Sequence, residues 1–423
     1  MAKESENEPL ERDHKKLGKE LDLYYIDELV GKGLPLFTAK GAAIRRELER
    51  FIIDEEIRRG YLHVRTPDIA KLDLYIKSGH YPHYKDSMFA PITVEDEQFM
   101  LRPMTCPHHF QLYLSKPRSY RELPMRIAEL AQLYRFEQSG ELMGLQRVRA
   151  FCLADAHIIC ASEEQAAEEI SGALDLIEYA AGVFGLAQGK DYWYRLSLGD
   201  ITNREKYYEN DAAWEKSEKL LRKLLEKRGC KFDEAKNEAA FYGPKIDVQM
   251  RNANGKEDTA FTVQYDFCMP DRFNLTYVGA DGQAKRAFVV HRSSIGAVER
   301  LMALLIEHYA GAFPVWLSPV QVKILPVSEK HASYAKQIYE TLLDASIRAE
   351  LDDSADTLGK RIRSGKVEKV PYLLVVGDEE VKSKTATLEG RGGPGRSGKI
   401  GALSVADVIA RIKSEIANRK DMI

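Results

Sequence analysis

Cysteine is scarce in this sequence, and the five present (Cys106, Cys152, Cys160, Cys230 and Cys268) form no CxxC pair and no disulfide-like spacing. That excludes a disulfide scaffold and fits a reducing compartment. No apolar run is long enough to span a bilayer, so no membrane partner is expected. The opening MAKESENEPLERDHKK has no apolar stretch of the kind a secretory signal carries. Charge of one sign is not in excess either: 62 Lys and Arg against 65 Asp and Glu leave a formal net charge of −3. A polybasic protein is excluded, although a local basic patch on a nucleic-acid-binding face is not. Internal repeats are absent. What remains is a cytoplasmic, globular chain with 44% hydrophobic and 30% charged residues, and 423 residues suffice for two or three domains with their own cores.

The spacing of apolar residues predicts a helix over Ile44–Arg59, followed by a turn and a strand ending at Pro67. Two further helices are predicted, EEQAAEEISGALDLIEYAAGVFG stopped near Gly185 and AAWEKSEKLLRKLLEKRG ended by Gly229. KIDVQMRNANGKEDTAFTVQYDF reads as two strands joined around Asn254-Gly255, a hairpin signal. The segment RSSIGAVERLMALLIEHYAG reads as a long helix entered directly after the strand AFVVH. This irregular order suggests a largely antiparallel sheet with helices packed on it. Past FPVWLSP the pattern changes to β-α-β-α-β-β-α, a small α/β domain beginning near Ser318.

Chemistry concentrates in YRFEQSGELMGLQRVRAF, Tyr134 to Phe151, where Arg135, Glu137, Arg147 and Arg149 flank a Ser139-Gly140 turn. Arginine forks suit phosphates and carboxylates, a carboxylate can accept from an exocyclic amine, and an aromatic can stack on a base. Taken alone, the stretch reads as a solvated, charge-paired hairpin. Arg300, in HRSSIGAVERL, sits one turn into an otherwise apolar helix face, where a lone arginine ordinarily snorkels or pairs. CPHH suggests a Cys106/His108/His109 metal site, but adjacent histidines chelate one ion poorly from a helix start. GPGRSGKI (Gly393–Ile400) fits GxxxxGK but has Ile400 where a phosphate-binding loop needs a hydroxyl, so a Gly-rich hairpin tip is expected there.

Together the two arginine segments resemble motifs 2 and 3 of class II aminoacyl-tRNA synthetases, and the helix and strand ending at Pro67 resemble motif 1. Eight segments (RDHKKLG, SGHYPHYKDSMF, LRPMTCPHHF, SYRELPMRIAEL, DAHIIC, AFYGPKIDVQ, RFNLTYVG and VVHRSSIGAVER) resemble the threonyl-tRNA synthetase family in the same order, over nearly all of residues 12–420. The resemblance implies an α+β catalytic domain with a central antiparallel sheet flanked by helices over 12–317, after a disordered lead over 1–11. A small α/β domain of anticodon-binding type would occupy 318–423. It implies ATP-dependent activation of threonine and transfer to tRNA(Thr) by a homodimer, with Mg²⁺ accompanying ATP. Cys106, His157 and His291 would hold one Zn²⁺, leaving an open position for the substrate's amino and hydroxyl groups. Arg135 would hold the α-phosphate and the amino acid carboxylate. Glu137 would face the adenine amine, Phe151 would stack on the ring, and Arg147 and Arg300 would hold the β- and γ-phosphates. Asp155, Tyr242 and Gln264 match residues that surround threonine, and Glu380 matches an anticodon contact.

The sequence also departs from the family. Its members carry N-terminal domains ahead of RDH, one of which hydrolyses misacylated seryl-tRNA. With RDH at Arg12, a short form without cis-editing, or a trimmed chain, is expected. Leu153 and Ala154 stand where Gln-Asp is usual, Ala260 and Phe261 where Cys-Gly is usual, Phe136 for Asn and Ala297 for Ser. Ala355, Lys369 and Leu388 occupy positions where polar base readers are expected. These changes keep a second reading open: a paralogue that activates threonine or another β-hydroxy amino acid for a carrier protein or a biosynthetic pathway.

Overall fold

The computed structural model describes residues 11–253, 255–392 and 398–420. The expected lead thus falls, apart from Glu11, outside the described residues, as do Asn254 of the hairpin turn and most of GPGRSGKI. The chain packs as two compact units. The larger holds Ile26–Pro35 and Glu49–Leu304; the other joins the described residues up to Tyr25, Leu36–Leu48 and the chain from Leu305 onward.

Helix α1 (Ala39–Arg58) begins five residues ahead of the expected start at Ile44. The strand expected to run to Pro67 is only β1 (Leu62–His63), because Thr66 is engaged otherwise: its N–H and hydroxyl both donate to the buried Glu129 carboxylate, at 3.1 and 2.7 Å. The other strands of the large sheet are β2 (Met125–Tyr134), β3 (Ala150–Cys160), β4 (Tyr192–Ser197), β5 (Phe232–Ala235), β6 (Lys245–Arg251), β7 (Glu257–Asp266) and β8 (Phe288–Ala297). Their spatial order is β5-β4-β6-β7-β8-β3-β2-β1. Only the edge pairs β5/β4 and β1/β2 are parallel; the interior is antiparallel, as expected. Helix α2 (Cys106–Leu114) buries Cys106, His109, Phe110 and Tyr113, with Cys106, Phe110 and Tyr113 packing in one apolar cluster with Ile127, Ile159 and Phe273. Helices α3 (Glu163–Val183) and α4 (Asp211–Lys227) lie where their apolar spacing places them.

One sequence expectation is corrected. Residues Arg292–Ala297 do not open the helix; they extend β8, and α5 begins only at Val298 and ends at His308. Gly296 explains the transition. Its φ of +66° lies in the left-handed region, and a Cβ there would come within 2.1 Å of the Ala260 carbonyl oxygen, which only glycine tolerates. The β8/β3 register shifts at the same place, between Ser293 and Ala297. Below it, Arg292 is fully buried, paired with Glu56 at 2.6 Å and set 4.2 Å from the centre of the Tyr61 ring. Burial opposes ionisation of Glu56, yet Arg292, His63 and Ser294 outweigh it and hold the carboxyl below its usual range. This buried pair fixes the strand that carries His291.

The second unit holds β9 (Val322–Pro326), α6 (Ala332–Asp344), β10 (Ala349–Leu351), α7 (Leu358–Val367), β11 (Tyr372–Val376), α8 (Asp378–Ser383), β12 (Thr385–Gly390), β13 (Lys399–Ser404) and α9 (Val405–Asn418). The sheet order is β10-β9-β11-β12-β13. From Val322 onward the chain has one strand and one short helix more than the sequence pattern suggested. Lys399 opens a strand, whereas the lysine of a phosphate-binding loop opens a helix. Leu388 is fully buried in this unit's core beside Val322, Ile338 and Ile412.

Candidate active site

Directly opposed residues of antiparallel strands share a face of the sheet. Across β7, β8 and β3 one row therefore runs Gln264, His291, His157, and the next runs Thr262, Ser293, Asp155. Helix α2 brings Cys106 over the first row. The Cys106 sulfur and one ring nitrogen each of His157 and His291 lie within 4.8 Å of one another, and all three residues are buried. His109 points elsewhere, its Nδ1 2.8 Å from His157 Nδ1, and neither ring nitrogen of His108 has a partner among the described residues. The CPHH run is therefore not itself a chelating set.

The remaining ring nitrogens are held from behind. His157 Nδ1 meets His109, whose Nε2 lies 3.3 Å from Glu129; Glu129 in turn pairs with Arg102 at 3.1 Å. His291 Nε2 sits 2.6 Å from Asp266, a carboxylate that also accepts the Cys268 and Met269 N–H groups. That leaves His157 Nε2 and His291 Nδ1 for a ligand. Burial, reinforced by His291 and His109, pushes the His157 imidazole well below its usual range, so its nitrogen carries a lone pair. Burial, then Asp155 and Asp266, pushes the Cys106 thiol well above its own. A buried sulfur and two oriented imidazoles fit a zinc ion, and oriented second partners are what such ligands ordinarily have. The other three-residue group among the described residues, Asp13, His14 and Glu307, lies in the second unit and contains a 2.6 Å His14–Glu307 pair.

Two cavities meet on this face. One of about 460 Å³ is lined by Cys106, His157, His291, Asp155 and Tyr242 among others. Its neighbour of about 220 Å³ is lined by Phe151, Phe261, Ala297 and Arg300. Arg135, Glu137, Arg147, Gln264, Leu153 and Ser293 border both. Tyr242 stacks on His291, ring centres 4.7 Å apart, and donates to Gln264 at 2.5 Å. Arg135 lies over the Phe151 ring at 5.2 Å. Arg147 pairs with Glu137 at 2.7 Å and with Glu141 at 3.1 Å. Arg300 donates to the Gln146 and Thr259 carbonyls at 3.0 and 2.7 Å. Burial, together with Arg135 and Arg147, lowers the Arg300 pKa, while Asp258 opposes the shift. Converging cations in a partly dry cleft form a ready polyanion site.

All eleven site residues expected in the larger unit therefore line one pair of cavities. Glu380 lies in the second unit, its carboxylate accepting from the Gly377 N–H at 2.8 Å and the Thr387 hydroxyl at 2.7 Å. Leu153 and Phe261 do face the cavities, but Ala154 does not: strand alternation turns it to the other face, where it is buried. Sequence reasoning missed His109, Thr262 and Ser293. The two-residue period from His291 to Ser293, and from Gln264 back to Thr262, was the signal available for two of them.

Residues 89–309 match the tRNA synthetase class II core domain (G, H, P, S and T), and residues 321–415 match an anticodon binding domain. The sheet, the α5 arginine and the motif 2 hairpin, together with this match, define a class II tRNA synthetase core. The chain is 47% identical over 420 residues to the threonine–tRNA ligase of Clostridium perfringens (strain SM101 / Type A), covering 99% of this chain and 64% of that protein. With the threonine–tRNA ligase of Halalkalibacterium halodurans it is 50% identical, over 89% of this chain and 58% of the relative. A crystal structure of the RNA binding domain of threonyl-tRNA synthetase from Cryptosporidium parvum Iowa II superposes with a TM-score of 0.88 at 35% identity, covering 95% of this chain and 98% of that one. The chain belongs to the threonyl-tRNA synthetase family.

Proposed function

We propose that this chain activates threonine with ATP and transfers it to tRNA(Thr), using a zinc ion held by Cys106, His157 and His291. The observation that carries the reading is the convergence, on one sheet face, of a Cys/His/His set with Asp155, Tyr242 and Gln264, beside a second cavity ringed by arginines. When bound, zinc supplies an open coordination position suited to an amine and a neighbouring hydroxyl. Asp155 accepts a hydrogen bond from the substrate's polar groups beside the metal position, and Tyr242 and Gln264 close the pocket around the side chain. An isosteric apolar amino acid leaves these polar groups unpaired and is rejected.

Arg135, where the cavities meet, orients the amino acid carboxylate against the α-phosphate. A carboxylate oxygen forms the bond to the α-phosphorus as the bond to pyrophosphate breaks. Charge gathering on the phosphates meets Arg135, Arg147 and Arg300, a fixed electrostatic complement in place before the reaction starts. Glu137 receives the adenine amine, Phe151 stacks on the base, and Mg²⁺ accompanies ATP. The anticodon-binding match supports tRNA as acceptor, with Glu380 as a contact there; its two internal hydrogen bonds fix its orientation and leave lone pairs to accept from a base. A cytoplasmic homodimer through the motif 1 segment accords with Ile57 and Leu62, exposed there at 54% and 55%.

The reading is tested by charging a tRNA(Thr) transcript. Threonyl-tRNA is expected to accumulate only with ATP, threonine and this tRNA all present. Adenylate formation with no transfer to tRNA(Thr) would favour the second reading, a paralogue serving another acceptor or β-hydroxy amino acid. Leu153 and Phe261 on the cavity walls favour that alternative, since each puts an apolar group where the family is polar or small.

A further inference from the structure

Consecutive serines on β8 have opposite fates. Ser294 Oγ donates to the Glu56 carboxylate at 2.9 Å, locking the far face of the strand. Ser293 is 4% exposed, and its Oγ is buried with no hydrogen-bond partner among the described residues. Buried hydroxyls are nearly always satisfied, and one left unpaired is costly. Strand pairing fixes where Ser293 lies: opposite Thr262 on one side and Asp155 on the other, two residues along from His291 on the same face. Neither neighbour is its partner, and Thr262 Oγ already accepts from Gln264 at 3.3 Å.

Ser293 also borders both cavities. Along the chain, His291 lies on the metal-competent side and Arg300 in the arginine-lined cavity, with Ser293 between them. A ligand occupying both cavities passes its joining group through their shared border, where Ser293 offers a buried hydroxyl without a partner among the described residues. In the reading proposed above, on which this inference rests, that group is the α-carboxylate of the amino acid.

We propose that Ser293 Oγ–H donates a hydrogen bond to the α-carboxylate of the bound amino acid, making Ser293 a substrate-orienting residue at the point of attack on ATP. The contact is to a group every amino acid has, so it raises affinity and alignment without choosing the side chain.

The test compares two ligands on the zinc-loaded protein by calorimetric titration: threonine, and 1-amino-2-propanol, which keeps the amine and hydroxyl but lacks the carboxylate. In Ser293→Ala, threonine affinity should fall about tenfold, the size of a lost hydrogen bond to a charged group. Affinity for 1-amino-2-propanol and for ATP should not change, and Ser293→Thr should restore most of the loss. Without ligand, Ser293→Ala should melt no lower than the unaltered protein, because it removes an unpaired hydroxyl. Unchanged threonine affinity, or equal losses for both ligands, would overturn the contact while leaving the amino acid site intact. An unaltered protein that binds neither ligand would refute the site and the contact with it.

Discussion

Replacing Arg300 by alanine is expected to slow threonine-dependent adenylate formation by about 10²–10³-fold, the effect of removing one preorganised charge that meets a developing anion. The guanidinium is held in place before ATP arrives, its Nε and one Nη on the Gln146 and Thr259 carbonyls. It is therefore aimed at the cavity with little left to reorganise. Burial and the nearby Arg135 and Arg147 destabilise its charge, a penalty an incoming triphosphate relieves. Most of the loss should appear in kcat, because charge accumulates in the transition state. Arg300→Lys, which keeps a cation but not the fork, should recover only part of the rate. An alanine variant with an unchanged rate would remove this arginine from the phosphate site.

The second large effect is expected at Cys106. Cys106→Ser replaces a sulfur donor in a three-residue set whose ligand atoms already lie within 4.8 Å of one another. The variant should lose bound zinc and threonine activation together, read by elemental analysis and exchange assay on the same sample. His109→Ala tests the support behind the set. It leaves Cys106, His157 and His291 untouched but removes the ring that holds His157 Nδ1 at 2.8 Å. Metal affinity should fall by roughly 10–100-fold, as for other second partners of metal ligands, measured by competition with a chromogenic chelator. Full activity of metal-free Cys106→Ser would contradict the zinc role, and unchanged affinity in His109→Ala would show that His157 needs no orienting partner.

What the sequence made legible was the set of residues, and what it hid was their register. Cys106, His157 and His291 have no local metal spacing; they are 51 and 134 residues apart along the chain, and only resemblance to a family joined them. The sheet then explains the join, since His157 and His291 are directly opposed on β3 and β8. The segment after His291 was misread because Ile295 and Val298 continue the apolar period of the helix that follows, so helix and strand merge in the pattern. The discriminating residue was Gly296, and nothing local in the sequence says that a carbonyl 36 residues away will press against it. Ala154 taught the converse. Two adjacent departures looked like one altered wall, yet alternation along β3 puts Leu153 on the cavities and Ala154 behind them. The fifth strand of the sheet beyond Val322 was absent from the β-α-β-α-β-β-α pattern, although the Gly-rich hairpin tip expected at Gly393–Ile400 already implied an antiparallel pair there, as β12 and β13 form.

The most direct test of the central claim is amino acid-dependent ATP–pyrophosphate exchange on the zinc-loaded protein, run across the standard amino acids and several β-hydroxy analogues. The arrangement of Cys106, His157, His291, Asp155, Tyr242 and Gln264 predicts exchange with threonine, weaker exchange with serine, which lacks one methyl, and none above background with valine. No exchange with threonine, or a preference for valine over it, would contradict a metal-assisted site for a β-hydroxy amino acid on this sheet face.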